Sequence, residues 1–287
     1  MTPTREQIRR AYIDACYREI DALKPGNVHR FADGHRMSAE QFFESAQASS
    51  QAVTDPALSI GERILAAVRE TRRKVETNTN LGILLLCVPL AKAAEGGKPD
   101  LQSDLATILE KLDVDDARNV FSAIMLAQPG GLGSAPKHDV STVPQVSLLE
   151  AMGEAADRDM IARQYVTSFA DVFAGGLGAY KAAVDRDERE MWPVVFTYLY
   201  FLSAFPDSHI VRKHGNAIAG KTQKEAQQIL LHVEALNGGK EREKLLLAFD
   251  AQLKADNINP GTSADLTVAT LFAFGLNSLL HNGEVNA

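Results

Sequence analysis

The chain has 287 residues, of which 45% are hydrophobic and 23% charged, and its formal net charge is −7. This length allows a large buried core in one domain or in two tightly joined ones, and we expect a single domain spanning 1–287. An acidic chain is a poor candidate for non-specific nucleic-acid binding. A local cluster of cations and backbone N–H groups can still bind phosphate.

The cysteines and the hydropathy pattern limit where the protein works. Cys16 and Cys87 occur in apolar helical patterns, so we expect two buried free thiols rather than a disulfide. The N-terminal sequence has no apolar signal region. The longest apolar run, 81–94, contains Pro89 and Lys92 and is too short to span a bilayer. The prediction is a cytoplasmic protein that binds neither membranes nor nucleic acid.

Hydrophobic residues recur with a helical period along almost the whole chain. The first helix is predicted at 5–23, where Ile8, Tyr12 and Cys16 fall on one face. Residue pairs that form capping boxes precede the first three helices: Thr4 with Gln7, Ser38 with Gln41, and Ser59 with Glu62. Further helices are predicted near 39–54, 60–76, 80–95, 101–111, 114–127, 147–155, 158–174, 177–187, 190–204, 209–219, 222–236, 241–254 and 262–281.

These segments predict an all-α fold, because no alternating run bounded by turns indicates a strand. We expect a compact bundle of roughly 12 helices with functional loops at helix N-termini. Gly175-Gly176 and Gly238-Gly239 are predicted helix ends, and Pro193 is predicted in a first helical turn. The longest irregular segment, 128–146, is of a length that is usually functional or disordered.

Five polar segments interrupt the helical pattern. The first, KPGNVHRFADGHRM at 24–37, turns at Pro25-Gly26, where a ligand can approach the backbone. Its candidate ligand-binding residues are Lys24 and Asn27, and His29 is a candidate for proton transfer. An ordinary basic loop between helices is the alternative interpretation.

The second segment, TNTN at 77–80, runs directly into an apolar helix. One of Thr77, Asn78, Thr79 and Asn80 is expected to cap that helix. Free N–H groups and the helix dipole favour phosphate at such an N-terminus, so the other side chains are candidates to bind phosphate or ribose. Capping together with a tight turn is the alternative.

The third segment, PGGLGSAPKHDV at 129–140, resembles a phosphate-binding loop through Gly130 and Gly131, but it lacks a P-loop or dinucleotide fingerprint. Lys137, His138 and Asp139 are its chemically functional residues. A flexible loop is the alternative.

The fourth segment is FPDSHIVRKHGNAIAGK at 205–221. Asp207 or Ser208 can cap a helix whose first turn presents His209, Arg212 and Lys213 on one face. Cations at a helix N-terminus oppose the helix dipole, and an anionic ligand would offset that cost. A solvated cationic face is the alternative.

The fifth segment, NINPGTSADLTVATLFAFGL at 257–276, precedes and begins the last long helix. Thr262 or Ser263 is expected to cap it. Asp265 falls in its first turn, where its charge suits the dipole and where it could hold Mg²⁺ on bound phosphates. Together the residues indicate an all-helical protein with a polar, partly cationic site for a phosphorylated ligand.

The set of motifs, in this order, resembles the triphosphoribosyl-dephospho-CoA synthase family. The motifs are KPGNVH, TNTNLGILLLCVPLAKA, PGGLG…HDV, PDSHIVRKHG and NPGTSADLTVATLF, and they extend over nearly the whole chain. The family includes the citrate-lyase and malonate-decarboxylase prosthetic-group enzymes. This chain is most similar to the branch found in archaea and some methylotrophic bacteria.

The resemblance implies an all-α transferase with ATP as donor. A hydroxyl of dephospho-CoA attacks C1′ of the ATP ribose and adenine leaves, while the triphosphate stays on the transferred ribose. This transfer needs a base, a hydrogen-bond donor to adenine, and cations on the phosphates. We assign phosphate binding to Lys24, Arg212 and Lys213. The carboxylates of Asp139, Asp207 and Asp265 are assigned to Mg²⁺ or to the base, with the metal expected at Asp139 and Asp265. Proton transfer is assigned to His29, His138 and His209.

Two segments differ from the family's better-known members. Those members carry a Gly-Ala-His-x-Asp-Met-like segment, whereas this chain reads DGHRM with Arg36 in place of the acid. They also carry an Asn-Thr-His-Lys-Gly-like string, whereas Asn80 and Leu81 replace the His and the Lys here. Both differences bear on the acceptor.

Two other functions remain open. One is a different nucleotide-dependent transferase or ligase on the same scaffold, in one-carbon cofactor biosynthesis of the methanopterin or methanofuran type. The other is a non-catalytic nucleotide-binding protein. The expected partners are a nucleotide and, for the enzymes, a phosphorylated acceptor. The sequence leaves the oligomeric state open, a homodimer included.

Overall fold

The computed structural model describes residues 2–135, 137–236 and 238–282. Within these ranges the backbone forms fourteen α-helices and one π-helical segment, Asp171–Gly176, and extended pairing is limited to two isolated bridges in the loop 24–37. The helices are α1 (Arg5–Asp21), α2 (Ala39–Val53), α3 (Ile60–Val75), α4 (Leu81–Ala94), α5 (Leu101–Leu109), α6 (Val114–Ala127), α7 (Leu148–Ala155), α8 (Met160–Val166), α9 (Leu177–Asp185), α10 (Trp192–Ala204), α11 (Ser208–His214), α12 (Asn216–Ala235), α13 (Gly239–Ala255) and α14 (Gly261–Asn282). The all-α prediction is confirmed.

The first three helices begin at the predicted capping boxes. Thr4, Ser38 and Ser59 each accept a hydrogen bond from the backbone N–H three residues later. The Gln or Glu at that later position bonds back to the backbone of the capping residue. Local sequence therefore determines where these helices start.

The apolar centre of the fold is built from α4, α10 and α14. In α4 the side chains of Leu84, Leu86 and Val88 are fully buried, and the helix packs against α3, α5 and α14. The free thiols Cys16 and Cys87 lie in the same core, as predicted, and burial raises the pKa of each. Because α4 is central, its N-terminus opens inside the molecule rather than at the rim.

One helix in the described part of the chain is long and apolar enough to cross a membrane by length and composition alone. It is the segment Gly261–His281 of α14, and 72% of its 18-residue apolar stretch is buried inside the fold. A second span would require Trp192–Ala204 and Ser208–His214 to act together despite a bend of 51°. The apolar surface of α14 is used in packing against α1, α4 and α10.

The prediction that Gly175-Gly176 ends a helix is wrong. The π-helical segment runs through both glycines and continues directly into α9. A Cβ at Gly175 would collide with Tyr200, and one at Gly176 would collide with Thr270. These glycines allow close packing against α10 and α14, which a helix end does not require.

Two predicted helix boundaries also differ. The segment predicted at 209–219 is divided at Gly215, whose φ of +84° separates α11 from α12. The segment predicted at 158–174 ends early at Val166, and the π-helical segment follows it. Gly238-Gly239 follows the end of α12 at Ala235, but the pair begins the next helix: Gly238 is the N-cap of α13 and Gly239 is its first residue.

Candidate functional site

All five polar segments meet at one cavity of about 710 Å³. Residues from the N-terminal turns of five helices contribute to its wall: Leu81 and Gly82 of α4, Leu148 of α7, Ile161 and Ala162 of α8, His209 of α11, and Gly261, Ala264 and Asp265 of α14. The predicted site residues in the wall are Asn27, Thr77, Asn78, Thr79, Gly130, Lys137, His138, Asp139, His209, Arg212, Lys213 and Asp265. Those outside the wall are Lys24, His29, Asn80, Gly131 and Asp207.

The TNTN segment divides between the cavity and the interior. Asn78 Oδ1 accepts the Leu81 N–H at 3.2 Å, so this side chain caps α4. The hydroxyl of Thr79 bonds to Ser45 at 2.6 Å, and Asn80 faces Ser49 at 3.5 Å, so both turn toward α2. Thr77 lies half-buried in the cavity wall.

Asp265 projects from α14 onto the first turn of α4. A Cβ at Gly82 would collide with its carboxylate, so only glycine allows this approach. Burial, and then the negative charges of Glu19 and Asp207, raise the pKa of Asp265 well above its usual range. A carboxylate in this position favours a cation nearby, or its own protonation.

Lys24 does not reach the cavity. Its ammonium is fully buried, where it donates to the carboxylate of Glu19 and, at 3.1 Å, to Asn27 Oδ1. Asn27 in turn donates to Asn259 Oδ1 at 2.8 Å. Burial lowers the pKa of Lys24 and raises that of Glu19, and their contact offsets part of this cost. The residue that meets the cavity from this pair is Glu19, which the sequence analysis did not select.

Asp207 caps two helices at once. Its Oδ1 accepts the N–H groups of His209 at 2.9 Å and Ile210 at 3.1 Å in α11. Its Oδ2 accepts the backbone N–H of Ser263 at 2.7 Å and the Ser263 hydroxyl at 2.8 Å in α14. Both carboxylate oxygens are thus occupied, so the structure accounts for Asp207 without a proton-transfer role.

His209 is held as a neutral imidazole. Burial, and then the charges of Arg212 and Lys213, lower its pKa to about 3. Its ring packs so closely on Gly261 that a Cβ there would collide with it. Its Nε2 is buried and has no hydrogen-bond partner in the described residues. An unpaired buried nitrogen is costly, which favours a ligand group at this position.

The α11 cations are fixed from two sides. Arg212 Nη1 donates to Asp159 Oδ2 at 2.7 Å. The glycine loop lies on the same turn, since a Cβ at Gly130 would approach Lys213 Cε to 2.8 Å and one at Gly131 would approach the Arg212 carbonyl oxygen to 2.8 Å. Burial, and then the Arg212 charge, lower the pKa of Lys213. The glycines therefore serve packing against α11 as well as backbone freedom.

Asp139 organises its own loop. Its carboxylate accepts the Ala135 N–H at 2.6 Å and the N–H and hydroxyl of Ser141 at 2.9 and 2.6 Å. The Ser141 hydroxyl, together with these N–H groups, lowers the pKa of Asp139 to about 2. It is therefore a weak base. The neighbouring Lys137 lies 3.5 Å from Glu154, and His138 lines the cavity with a φ of +50°.

His29 belongs to a buried cluster behind the cavity. Its Nε2 lies 3.3 Å from Asp250 Oδ1, and Lys254 donates to Asp250 Oδ2 at 3.0 Å. Asp250 also accepts the Gly26 N–H at 2.8 Å, which ties the loop 24–37 to α13. Burial lowers the pKa of His29. The cluster gives His29 a structural role, and the structure does not bring it to the ligand cavity.

The cavity is more cationic than the chain as a whole. Its wall carries six Lys or Arg and five Asp or Glu side chains, against a net charge of −7 for the full sequence. Four of the cations have no carboxylate partner in the described ranges: Arg36, Arg72, Arg158 and Lys213. Arg72 and Arg158 were not selected from sequence, and Arg36 was noted only as the residue that replaces an acid of the better-known members.

Of the two predicted metal ligands, Asp139 and Asp265, the structure favours only one. Over residues 2–135, 137–236 and 238–281 there is no group of three or more His, Cys, Asp or Glu side chains placed to hold an ion. Asp139 has its oxygens occupied by N–H and O–H donors, whereas Asp265 makes no hydrogen bond within the same ranges. Asp265 alone fits a magnesium ion that is held mainly by ligand phosphates.

Helix N-termini, glycines and unpaired cations around one cavity are typical of proteins that bind phosphorylated small molecules. The chain belongs to the CitG family, described as ATP:dephospho-CoA triphosphoribosyl transferase, whose model matches residues 5–284. This confirms the family to which the sequence motifs were similar.

Individual relatives agree with this membership. Two Vibrio cholerae proteins, of strains M66-2 and ATCC 39315 / El Tor Inaba N16961, carry the provisional description 2-(5''-triphosphoribosyl)-3'-dephosphocoenzyme-A synthase. Each is 32% identical over 138 residues, which is 46% of this chain and 38% of the relative. The matched part thus spans well under half of these curated relatives.

A solved structure also matches. It is a protein from Archaeoglobus fulgidus, provisionally described as a triphosphoribosyl-dephospho-CoA synthase. It is 27% identical, with a TM-score of 0.63 over 80% of this chain and 95% of the other. This match, unlike the curated ones, extends over almost the entire relative.

Proposed function

We propose that the protein transfers the 5-triphosphoribosyl group of ATP to dephospho-CoA or a related phosphorylated acceptor and releases adenine. The observation that carries this proposal is the cavity, where four cations without carboxylate partners in the described residues surround helix N-termini. Family membership over residues 5–284 supplies the reaction. Such a site suits a polyanion that stays intact during the reaction, as the triphosphate does here.

The reaction is one substitution at C1′ of the ATP ribose. The C1′–N9 bond breaks and its electron pair leaves with adenine, while a hydroxyl oxygen of the acceptor forms the new bond to C1′. The proton of that hydroxyl must go to a base, and the adenine anion must gain a proton or a hydrogen bond. The protein needs to hold both substrates in line and stabilise positive charge at the ribose.

Cavity residues supply groups for each requirement. Arg212 and Lys213 bind the triphosphate, assisted by the N–H groups of α4. His138 accepts the hydroxyl proton, since Asp139 beside it is too weak a base with a pKa of about 2. His209, neutral because its pKa is about 3, offers a ring N–H to the departing adenine.

Mg²⁺ would accompany the triphosphate and neutralise part of its charge. Asp265 is the residue that fits it, since its carboxylate makes no hydrogen bond to the described part of the chain. Thr77 and Asn78 line the same end of the cavity and would contact ribose or phosphate oxygens.

The test is chromatography of the purified protein with ATP, magnesium and dephospho-CoA. Free adenine together with a dephospho-CoA heavier by one triphosphoribosyl group is the expected result. His138→Gln should lower the rate of adenine release by about a hundredfold with ATP affinity retained. Retained ATP binding without adenine would contradict the transferase reaction.

A second candidate is a ligase or another transferase on this scaffold in one-carbon cofactor biosynthesis. The observation in its favour is Arg36, a cation in the cavity wall at the position where the better-known members have an acid. An additional cation suits a more anionic acceptor. ADP or AMP, instead of adenine, would be the product that distinguishes this reaction.

We also place the reaction in the cytoplasm. Two buried free thiols, Cys16 and Cys87, are consistent with a reducing compartment.

A further inference from the structure

We propose that Asp159 is a positioning residue for the triphosphate: its carboxylate orients the guanidinium of Arg212 at the cavity wall. This inference rests on the proposed function, because it assumes that Arg212 binds ATP phosphates. Neither the motifs nor the family membership points to Asp159, which lies between α7 and α8 in the chain.

The two oxygens of Asp159 serve different helices. Oδ1 accepts the N–H groups of Ile161 at 2.9 Å and Ala162 at 3.2 Å and so caps α8. Oδ2 accepts Arg212 Nη1 at 2.7 Å from α11. Since Oδ1 is committed to backbone N–H groups, the plane of the carboxylate is fixed, and the direction of the Arg212 bond is fixed with it.

A second contact ties the same two helices together. The Met160 N–H donates to Ser208 Oγ at 3.3 Å, and Ser208 shares a hydrogen bond of 3.0 Å with Thr262 of α14. The α8 N-terminus is therefore already joined to α11 without Asp159. Loss of the Asp159 charge should free the guanidinium without separating the helices.

The remaining donors of Arg212 are those a phosphate would use. Its side chain is 23% exposed, its Nε is buried and has no hydrogen-bond partner among the residues that the structure describes, and Asp159 holds Nη1. Arginine recognises phosphate with two parallel N–H donors, which requires a fixed plane. A guanidinium held by one edge presents the other edge in a constant orientation and loses less freedom on binding.

The experiment measures ATP affinity by calorimetry, without acceptor, together with thermal unfolding. Asp159→Asn keeps a side-chain oxygen that can cap α8, but it removes the negative charge that faces the guanidinium of Arg212. We expect ATP affinity to fall by about tenfold while the unfolding temperature stays close to that of the unmodified protein. Arg212→Ala should weaken ATP binding at least as much.

The double variant, with both Asp159→Asn and Arg212→Ala, tests whether Asp159 acts through Arg212. If Asp159 acts only through Arg212, Asp159→Asn adds no further loss to Arg212→Ala. Asp113→Asn is the matched control, because Asp113 caps α6 through two N–H groups and does not line the cavity. Its ATP affinity should be unchanged.

Two results would overturn the inference. One is an Asp159→Asn protein that binds ATP as tightly as the unmodified protein while Arg212→Ala does not. The other is an equal loss from Asp159→Asn with or without Arg212. Failure of adenine release with normal ATP affinity would reject only the proposed reaction, and this coupling would remain measurable.

Discussion

Burial shifts the pKa of three residues that line the cavity. It lowers the pKa of His209 and of Lys213, and it raises that of Asp265. Each shift reflects a charged form that the free protein disfavours. A bound triphosphate would place negative charge beside Lys213, and its cation would place positive charge beside Asp265. The residues that bind the ligand therefore reduce the stability of the free protein.

The His209 shift predicts an acid-sensitive component of stability. Its pKa falls from an ordinary 6.5 to about 3 on folding, so between these values the unfolded chain binds more protons. Stability from this residue is therefore complete above pH 6.5 and is lost as the pH falls toward 3. Between pH 7 and 4.5, the free energy of unfolding of His209→Asn, measured in urea, should fall by about 1–2 kcal/mol less than that of the unmodified protein. The effect is limited to this size because the ring keeps some contact with water.

The control is His232→Asn, which replaces an exposed histidine on α12. Its stability should follow that of the unmodified protein across the same pH range. Parallel curves for His209→Asn and the unmodified protein would show that His209 is not buried as a neutral ring.

At the scale of helices, local signals and distant contacts contribute differently. The capping boxes at Thr4, Ser38 and Ser59 could be predicted because both partners lie within four residues. Asp207 was one of two residues predicted to cap α11, the other being Ser208. Its bonds to Ser263 could not be predicted, since 56 residues separate the two. The link between Asp159 and Arg212 was missed for the same reason, over 53 residues.

Gly175-Gly176 shows how a local signal can mislead. Paired glycines are typical of helix ends, yet here both lie within a continuous helical backbone. Glycine is needed at both positions because Tyr200 and Thr270 leave no room for a Cβ. Sequence periodicity registers only that glycine is present. Which of its two uses applies depends on neighbours supplied by α10 and α14.

This packing predicts opposite effects for two nearby glycines. Gly176→Ala would place a Cβ 2.7 Å from Phe201 Cζ and in collision with Thr270, and should cost about 1–3 kcal/mol. Gly178→Ala, two residues on in α9, meets nothing within 4 Å and should stabilise the helix by about 0.5–1 kcal/mol. Denaturant unfolding of both variants measures the difference. Equal effects would exclude close packing at Gly176.

At the scale of the whole molecule, the sequence identified five polar segments, and their residues together predicted one polar, partly cationic site for a phosphorylated ligand. The structure brings Asn27, Asn78, His138, Lys213 and Asp265, one from each segment, to a single cavity. It also places two predicted residues, Lys24 and His29, behind that cavity in buried pairs. A basic residue near a ligand loop and one that supports the loop look alike in sequence.

The cations in this cavity are expected to serve the ligand rather than the fold. Lys213 has no ion-pair partner in the described part of the chain, and the neighbouring Arg212 repels it. Lys213→Gln should therefore leave the unfolding temperature of the free protein unchanged or slightly raised. ATP affinity should fall about tenfold, which reduces ATP-induced stabilisation by about 1.4 kcal/mol.

The measurement is thermal unfolding with and without ATP at two ionic strengths. Salt screens the contact between Lys213 and phosphate, so the difference between variant and unmodified protein should shrink as salt rises. Lys221→Gln is the control, since Lys221 pairs with Glu225 at 3.6 Å on α12 and does not line the cavity. The opposite result would be a Lys213→Gln protein that is less stable without ATP but is stabilised by ATP as much as the unmodified protein. Lys213 would then stabilise the fold rather than bind the ligand. The expected result would show that Lys213 does not stabilise the free protein but is required for its complex with ATP. That would identify the cavity as a binding site for a polyanion.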